Sequence, residues 1–266
     1  MKKITVPDII RMKADGKKIP VLTAYSLPVA RLVDAAGIPM IIVGDSVGMV
    51  EAGYGTTIPV TIEEIIYHTR AVVRGAESAL IVSDMPFGSY QTGETDAKRN
   101  AVRLLKEGGA GAVKVEGGVR TAGAVRAIAG MDIPVMGHVG LTPQSIHRMG
   151  GYKVQGKTPK EAEAIMEDAR AIEEAGAFSI VIEGVPASLA KDITSALSIP
   201  TIGIGAGPHC DGQVLVVNDM LGIDKGVRKP RFVRQYADLE SVILRAVREY
   251  VKDVEDGAYP AKEEGY

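Results

Sequence analysis

The chain has 266 residues, of which 46% are hydrophobic, and its formal net charge at pH 7 is -2. This length and apolar content suffice for a substantial core, whereas the near-neutral charge, without blocks of like charge, argues against nucleic-acid binding and against an anionic membrane partner. No apolar run approaches the length of a membrane span, no signal-peptide core follows the N-terminus, and Cys210 is the single cysteine. We therefore expect a cytoplasmic protein without disulfides.

The first predicted element is an N-terminal helix within residues 1–18. Thr5 is a candidate N-cap, and Asp8 follows at the spacing that a capping box requires. Residues 19–25 then predict the first strand, and residues 28–36 predict a short helix.

A series of apolar runs, each ending in a polar residue, is the main organising pattern of the chain. The runs at 41–44, 80–83, 113–115, 135–137 and 180–182 end, in order, at Asp45, Asp84, Glu116, His138 and Glu183. Short continuous apolar runs are typical of parallel strands that are buried on both faces. Active sites of α/β proteins lie at the carboxyl ends of such strands, so these polar side chains are predicted to meet at one mouth.

Helical segments are predicted between the later strands. They cover residues 61–74, 95–107, 122–129, 159–175 and 187–196, with a long C-terminal helix at 236–257. Residues 211–217 supply a weaker eighth strand, and the polar tail at 261–266 is expected to be frayed. No stretch has the composition of a linker. We therefore predict a single α/β domain over residues 1–266, a (β/α)8 TIM barrel with an extra N-terminal helix.

Residues 140–157 interrupt this alternation, because they show little helical or strand pattern. They also follow His138 at the predicted mouth. Loops longer than about 12–15 residues are uncommon in compact domains and are usually functional. We predict that this segment is a lid or an interface loop.

Asp45, Asp84 and Glu116 provide a set of oxygen donors at neighbouring strand ends. Carboxylates in such proximity repel one another unless they are protonated or bind a metal, and oxygen ligands suit Mg²⁺. The sequence has no Cys/His cluster with zinc spacing. The alternative, that each acid caps the turn or helix after it, stays open at this point.

The other polar residues of the predicted mouth each have two interpretations. Lys114 and Glu116 are two residues apart and project to the same side of one strand, so Lys114 is a structural ion-pair partner of Glu116, a substrate contact, or both. Glu183 is either a base that accepts a proton or an acid at a helix N-terminus. His138 is either a hydrogen-bond donor at the mouth or a structural histidine. Ser46 either orients a carboxylate or caps a turn.

Several long motifs, in order, resemble the ketopantoate hydroxymethyltransferase family. They are VGDSVGM at 43–49, KVEGG at 114–118, GHVGLTPQ at 137–144, GGYKVQG at 150–156 and IGIGAG at 202–207. The resemblance implies a TIM barrel of the phosphoenolpyruvate/pyruvate-like group. It also implies transfer of a hydroxymethyl group from 5,10-methylenetetrahydrofolate to 3-methyl-2-oxobutanoate, giving 2-dehydropantoate in the first step of pantothenate and coenzyme A biosynthesis.

The resemblance assigns roles to residues at the strand ends. It implies Mg²⁺ dependence, with Asp45, Asp84 and Glu116 as the metal ligands. It implies that Asp45, Ser46, Asp84 and Lys114 contact the keto acid. These assignments select among the interpretations that the residues alone leave open.

The same resemblance makes Glu183 the proton acceptor and places His138 near the substrate. It further implies a cytoplasmic homo-oligomer, in many members a decamer. Two alternatives remain. One is a Mg²⁺-dependent carbon–carbon lyase or aldolase on a related barrel that works without folate, and the other is a non-catalytic barrel that binds a keto acid.

Overall fold

A computed structural model describes residues 2–223 and 230–266, and the chain falls into two compact units, Met1–Val216 and Val217–Tyr266. The first unit contains a closed barrel of eight parallel strands, in which neighbours in sequence pair with each other and the last strand pairs with the first. The strands are β1 (Ile19–Thr23), β2 (Met40–Val43), β3 (Leu80–Asp84), β4 (Ala112–Glu116), β5 (Val135–Gly140), β6 (Ser179–Glu183), β7 (Thr201–Ile204) and β8 (Gly212–Leu215). The predicted (β/α)8 barrel is confirmed.

Helices alternate with these strands. In the first unit they are α1 (Val6–Ala14), α2 (Leu27–Ala35), α3 (Val47–Val50), α4 (Ile62–Gly75), α5 (Glu94–Arg103), α6 (Ala122–Ala129), α7 (Ile146–Met149), α8 (Pro159–Glu174) and α9 (Ala187–Ala196). The second unit contains α10 (Val217–Leu221), α11 (Leu239–Glu255) and a 3-10 helix at Lys262–Glu264, within the tail that we expected to be frayed. In the described part of the chain, no helix is long and apolar enough to cross a membrane.

The barrel interior is filled by aliphatic side chains from successive strands. Ile19, Met40, Met136 and Ile202 belong to one buried cluster, which Ile9 of α1 joins. The strands are apolar along their whole length because both faces of a parallel sheet are covered.

The N-terminal helix α1 lies at the amino ends of the strands. Its predicted capping box is present, since the backbone N–H of Thr5 donates to Oδ2 of Asp8 at 3.0 Å. Nζ of Lys13 lies 3.0 Å from Oδ2 of Asp211 and donates to the carbonyls of Leu197 and Ile199 at 3.0 and 2.9 Å. These contacts satisfy the charge of a half-buried lysine and attach the helix to the barrel.

The register of the parallel strands aligns their carboxyl ends. Asp84 pairs with Lys114 across β3 and β4, and Glu116 pairs with His138 across β4 and β5. Polar residues that are far apart in sequence therefore emerge side by side.

The prediction that residues 140–157 have little regular structure is wrong for their first part. A 3-10 helix covers Pro143–Ser145, and α7 follows it directly. Pro143 favours such a start because its φ is already fixed near the helical value. Gly150 ends α7 with a φ of 65°, a left-handed conformation that glycine adopts without strain.

Two other helical segments differ from the predictions. The segment predicted at 95–107 divides into α5 and a π-helix at Leu104–Gly108. Helix α3 was not predicted, because Gly48 lowers the helix propensity of so short a segment. A side chain at Gly48 would collide with Val60, so close packing explains the glycine. The single domain over 1–266, which includes the undescribed residues 224–229, stays a prediction.

Candidate active site

The carboxyl ends of β2 to β6 bring the predicted polar residues into one group, here called the strand-end cluster. It consists of Asp45 after β2, Asp84 on β3, Lys114 and Glu116 on β4, His138 on β5, and Glu183 on β6. The side chain of Glu183 is 15% exposed, and the other members are buried. Ionisable groups are rarely buried without a partner, so the contacts among them decide what the site can do.

Asp45 and Asp84 lie next to each other. The backbone N–H of Asp45 donates to Oδ2 of Asp84 at 3.0 Å. Burial and the charge of Asp84 raise the pKa of Asp45 well above its usual range. Burial also raises the pKa of Asp84, although the charge of Lys114 opposes this. Burial is the largest cause of both shifts, and the charges of neighbouring carboxylates add to it.

Lys114 is the buried cation of the cluster. Its Nζ lies 3.0 Å from Oδ1 of Asp84 and 3.7 Å from Oε1 of Glu116. Burial alone would lower the pKa of Lys114, but the surrounding carboxylates outweigh it and raise that pKa above its usual value. Lys114 is therefore charged. Its closer ion-pair partner is Asp84, and the predicted pair with Glu116 is the longer of the two.

His138 lies between two carboxylates. Its Nδ1 is 3.2 Å from Oε1 of Glu116, and its Nε2 is 3.1 Å from Oε2 of Glu183. Burial opposes protonation, but the charge of Glu116 and contacts with both carboxylates raise the pKa of His138 to about 9. The imidazole is therefore protonated near neutral pH. Burial alone would raise the pKa of Glu116, but the charges of His138 and Lys114 and the hydrogen bonds to this carboxylate together outweigh burial and lower that pKa.

Ser46 lies at the edge of the cluster. Its Oγ is 2.8 Å from the hydroxyl of Tyr25, and within the described structure its side chain makes no capping hydrogen bond to α3. The hydroxyl pair places two further polar groups beside Asp45.

Two residues of the site were not assigned a role from the sequence. Nε2 of Gln144 donates to Oδ2 of Asp45 at 2.8 Å, and its backbone N–H donates to Oε2 of Glu116 at 3.0 Å. The hydroxyl of Tyr90 donates to Oε1 of Gln144 at 2.7 Å. Gln144 ends the GHVGLTPQ motif, which was a usable signal. Tyr90 lies in an irregular connection without any comparable pattern.

The three predicted metal ligands, Asp45, Asp84 and Glu116, are not arranged as a complete coordination site in the described structure. Among residues 2–223 and 230–266, no group of three or more His, Cys, Asp or Glu side chains is arranged to hold a metal ion. Glu116 is already engaged by His138 and Gln144. The adjacent carboxylates of Asp45 and Asp84 nevertheless fit a hard cation that keeps part of its water shell, as Mg²⁺ does.

The numbers of buried acidic and basic side chains also fit a bound cation. Three buried acidic side chains, Asp45, Asp84 and Glu116, face two buried cations, Lys114 and His138, so full ionisation of the acids would leave one negative charge without a partner among them. Oδ1 of Asp84 also has no hydrogen bond of good geometry within the described residues, although Nζ of Lys114 lies at ion-pair distance. Its buried lone pairs therefore have capacity for a further positive partner.

A closed parallel barrel with a buried acid–base cluster at the carboxyl ends of its strands defines a (β/α)8-barrel enzyme. A family model described as ketopantoate hydroxymethyltransferase matches residues 3–262. The chain belongs to the ketopantoate hydroxymethyltransferase family, as the motifs predicted, and it is a transferase.

Curated relatives agree with this assignment over nearly their whole length. A 3-methyl-2-oxobutanoate hydroxymethyltransferase from Geotalea daltonii is 58% identical over 261 residues, covering 98% of this chain and 97% of the relative. One from Syntrophotalea carbinolica is 59% identical over 265 residues, covering 100% of this chain and 99% of the relative. The lyase alternative is therefore not favoured.

Solved structures show that the fold is shared more widely. A phosphonopyruvate hydrolase in complex with oxalate and Mg²⁺ has a TM-score of 0.62 at 15% identity, covering 98% of this chain and 93% of that one. A 2,3-dimethylmalate lyase, a member of the PEP mutase/isocitrate lyase superfamily, has a TM-score of 0.61 at 16% identity. The match covers 98% of this chain and 91% of the lyase. These two structures therefore share the barrel fold of this chain.

Proposed function

We propose that this protein transfers the one-carbon unit of 5,10-methylenetetrahydrofolate to 3-methyl-2-oxobutanoate, giving 2-dehydropantoate in the first step of pantothenate and coenzyme A biosynthesis. The observation that supports this most directly is the row of Glu183, His138 and Glu116 across three strand ends, next to Lys114 and the aspartates. Abstraction of a proton beside a ketone needs a base and a positively charged environment for the product anion. The strand-end cluster has both.

We propose that Asp45, Asp84 and Glu116 hold Mg²⁺. When bound, the ion would polarise the oxygens of the 2-oxo acid and so make the C3 proton more acidic. The excess of buried acidic groups over buried cations supports the presence of a further cation. The hydrogen bond from Gln144 to Asp45 keeps that carboxylate oriented toward the same region.

We assign the remaining steps to the side chains of the cluster. Asp45, Ser46, Asp84 and Lys114 contact the keto acid, and the charge of Lys114 stabilises the enolate. Glu183 accepts the C3 proton. The protonated imidazole of His138 holds the carboxylate of Glu183 at the mouth of the barrel through the 3.1 Å contact. The enolate carbon then forms a bond to the methylene carbon of the folate, both carbon–nitrogen bonds to that carbon break, and water supplies the hydroxyl group of the product. Tetrahydrofolate leaves with two protons on its nitrogens, one from the water and one that Glu183 took from C3.

Two further properties belong to this proposal. We propose a cytoplasmic location and a homo-oligomer, a decamer as in many members of the family. Sedimentation equilibrium of the purified protein tests the second of these directly.

The reaction is tested with folate that carries ¹³C in its methylene group. Incubation with 3-methyl-2-oxobutanoate and Mg²⁺ is expected to place the label in the hydroxymethyl carbon of 2-dehydropantoate, and chelation of the metal is expected to prevent this. Turnover of the keto acid without folate would instead support the lyase alternative. Binding of the keto acid without any product would support the non-catalytic one.

A further inference from the structure

A pocket of about 630 Å³ adjoins the strand-end cluster on the side of β4 and β5, and is here called the lateral pocket. Glu116 and Gln144 line it and also belong to the site, because Gln144 donates to Asp45 and to Glu116. Its volume falls in the range of about 300–1,000 Å³ that is typical of sites for drug-sized ligands. A five-carbon keto acid is much smaller than such a ligand, so the lateral pocket has room for a second molecule.

One wall of the lateral pocket is apolar. Phe87 and Ile58 line it, and Phe87 is 46% exposed. An exposed aromatic face in a pocket is a favourable surface for a flat ring system, because stacking removes apolar area from water on both sides. This wall therefore favours an aromatic ligand.

The rim of the lateral pocket is cationic. Arg120 and Arg148 line it, and both are exposed. Neither guanidinium forms an ion pair or hydrogen bond with any residue that the structure describes, whereas Arg103 on α5 pairs with Glu63 and Glu107. Guanidinium groups bind carboxylates with two parallel hydrogen bonds, so two unpaired arginines at one rim favour a ligand with carboxylate groups.

An acid also lines the lateral pocket. Glu94 lies at the start of α5, and its Oε1 would be 3.3 Å from a Cβ at Gly123 on α6. A carboxylate repels a bound polyphosphate, but it accepts hydrogen bonds from amino groups on a ring. The combination of an aromatic wall, an acid and two arginines thus matches a ligand with an amino-substituted ring at one end and carboxylates at the other.

We propose that the lateral pocket binds the folate co-substrate, with Arg120 and Arg148 pairing with the carboxylates of its glutamate tail and Phe87 stacking on its aromatic part. This inference rests on the proposed function, since it names the residues that hold the second substrate of that reaction. The tail at the rim directs the carbon-bearing nitrogen atoms inward, toward Glu116 and Gln144. The one-carbon unit thereby approaches the enolate from the side of β4 and β5.

The test compares two folates in the wild type and in the double variant Arg120→Gln/Arg148→Gln. One is 5,10-methylenetetrahydrofolate, and the other is 5,10-methylenetetrahydropteroate, which has the same ring system but no glutamate. The wild type is expected to have a lower KM for the folate than for the pteroate. The double variant is expected to raise the KM for the folate about tenfold, as two charge-assisted contacts at an exposed rim would, and to leave the KM for the pteroate and for the keto acid unchanged.

Arg126→Gln is the matched control, because Arg126 is an exposed arginine on α6 that does not line the lateral pocket. It should behave as the wild type with both folates. An unchanged KM for the folate in the double variant, or an equal loss with folate and pteroate, would overturn the inference. A wild type that forms no product with either folate would instead refute the proposed function, so the two failures are distinguishable.

Discussion

The carboxylate of Glu183 and the imidazole of His138 are in contact across β5 and β6, with Oε2 of Glu183 3.1 Å from Nε2 of His138. The opposite nitrogen of the imidazole faces Glu116 at 3.2 Å. A protonated imidazole between two carboxylates fixes the position of both without consuming a proton in the reaction. Glu183, the more exposed of the two acids, is thus held where a substrate can reach it.

Replacement of Glu183 by Gln tests the assignment of the base. The amide keeps the size of the side chain but cannot accept the C3 proton, so kcat is expected to fall by a factor of about 10² or more. Binding of the keto acid, followed by calorimetry in the presence of Mg²⁺, is expected to change little. Glu174→Gln, at an exposed acid on α8, is the control and should retain full activity. Normal turnover in Glu183→Gln would show that another group removes the proton.

Replacement of Asp84 by Asn tests the metal assignment. Asn has the same shape, but it removes a charge beside Lys114 and weakens binding of a hard cation. The wild type is expected to gain thermal stability on addition of Mg²⁺ and to lose it with a chelator, because binding to the folded state raises Tm. Asp84→Asn should show a much smaller gain, whereas Asp96→Asn, at a partly exposed acid on α5, should respond as the wild type. Equal Mg²⁺ responses in all three proteins would contradict the assignment.

The raised pKa of His138 predicts a loss of stability at alkaline pH. Its pKa is about 9 in the folded protein against 6.5 for an unperturbed histidine, so protonation favours the folded state. The contribution is fully present below about pH 6.5 and is lost as the pH rises through about 9, with an upper limit of about 3 kcal/mol. Urea unfolding of the metal-free protein between pH 6 and 10 measures this loss.

Two variants identify the titrating group in that experiment. His138→Gln should flatten the pH dependence of the free energy of unfolding between pH 6.5 and 9. His209→Gln, at an exposed histidine, should retain the dependence of the wild type. If His138→Gln keeps the same slope, the stabilising proton is bound elsewhere.

Gln144 connects the segment 140–157 to the site. Replacement by Leu removes the hydrogen bonds to Asp45 and to the carbonyl of Met85, and leaves both acceptors buried. We expect kcat/KM to fall by about tenfold and the free energy of unfolding to fall by about 1–3 kcal/mol. Gln155→Leu is the control, because the amide of Gln155 contacts only the nearby carbonyl of Lys153 on an exposed surface of the described chain. Equal effects of the two substitutions would show that Gln144 has no special role.

The barrel could be predicted from the sequence because each strand is a short apolar run that ends in a polar residue. That pattern follows directly from burial on both faces of a parallel sheet. It located Asp84, Glu116 and Glu183 at the last residues of their strands, and His138 two residues before the end of β5. The register of neighbouring strands then determines which of them touch.

The contacts within the site could be predicted only in part. The spacing of Lys114 and Glu116 predicted a pair within β4, but the nearer partner of Lys114 is Asp84 on the adjacent strand, at 3.0 Å against 3.7 Å. The spacing of residues along one strand does not show which side chains of the neighbouring strand they can reach. Tyr90 and Gln144 were missed for a related reason, since both come from connections that lack a periodic pattern.

The role of Glu183 as the base is tested most directly by exchange of the C3 proton of 3-methyl-2-oxobutanoate in D₂O, followed by NMR with the wild type and with Glu183→Gln. We expect Mg²⁺-dependent loss of the proton signal with the wild type, in the absence of folate or after addition of tetrahydrofolate, and little loss with the variant. Exchange at the same rate in both proteins would contradict the role of Glu183. No exchange with the wild type, even with tetrahydrofolate present, would contradict enolisation at this site.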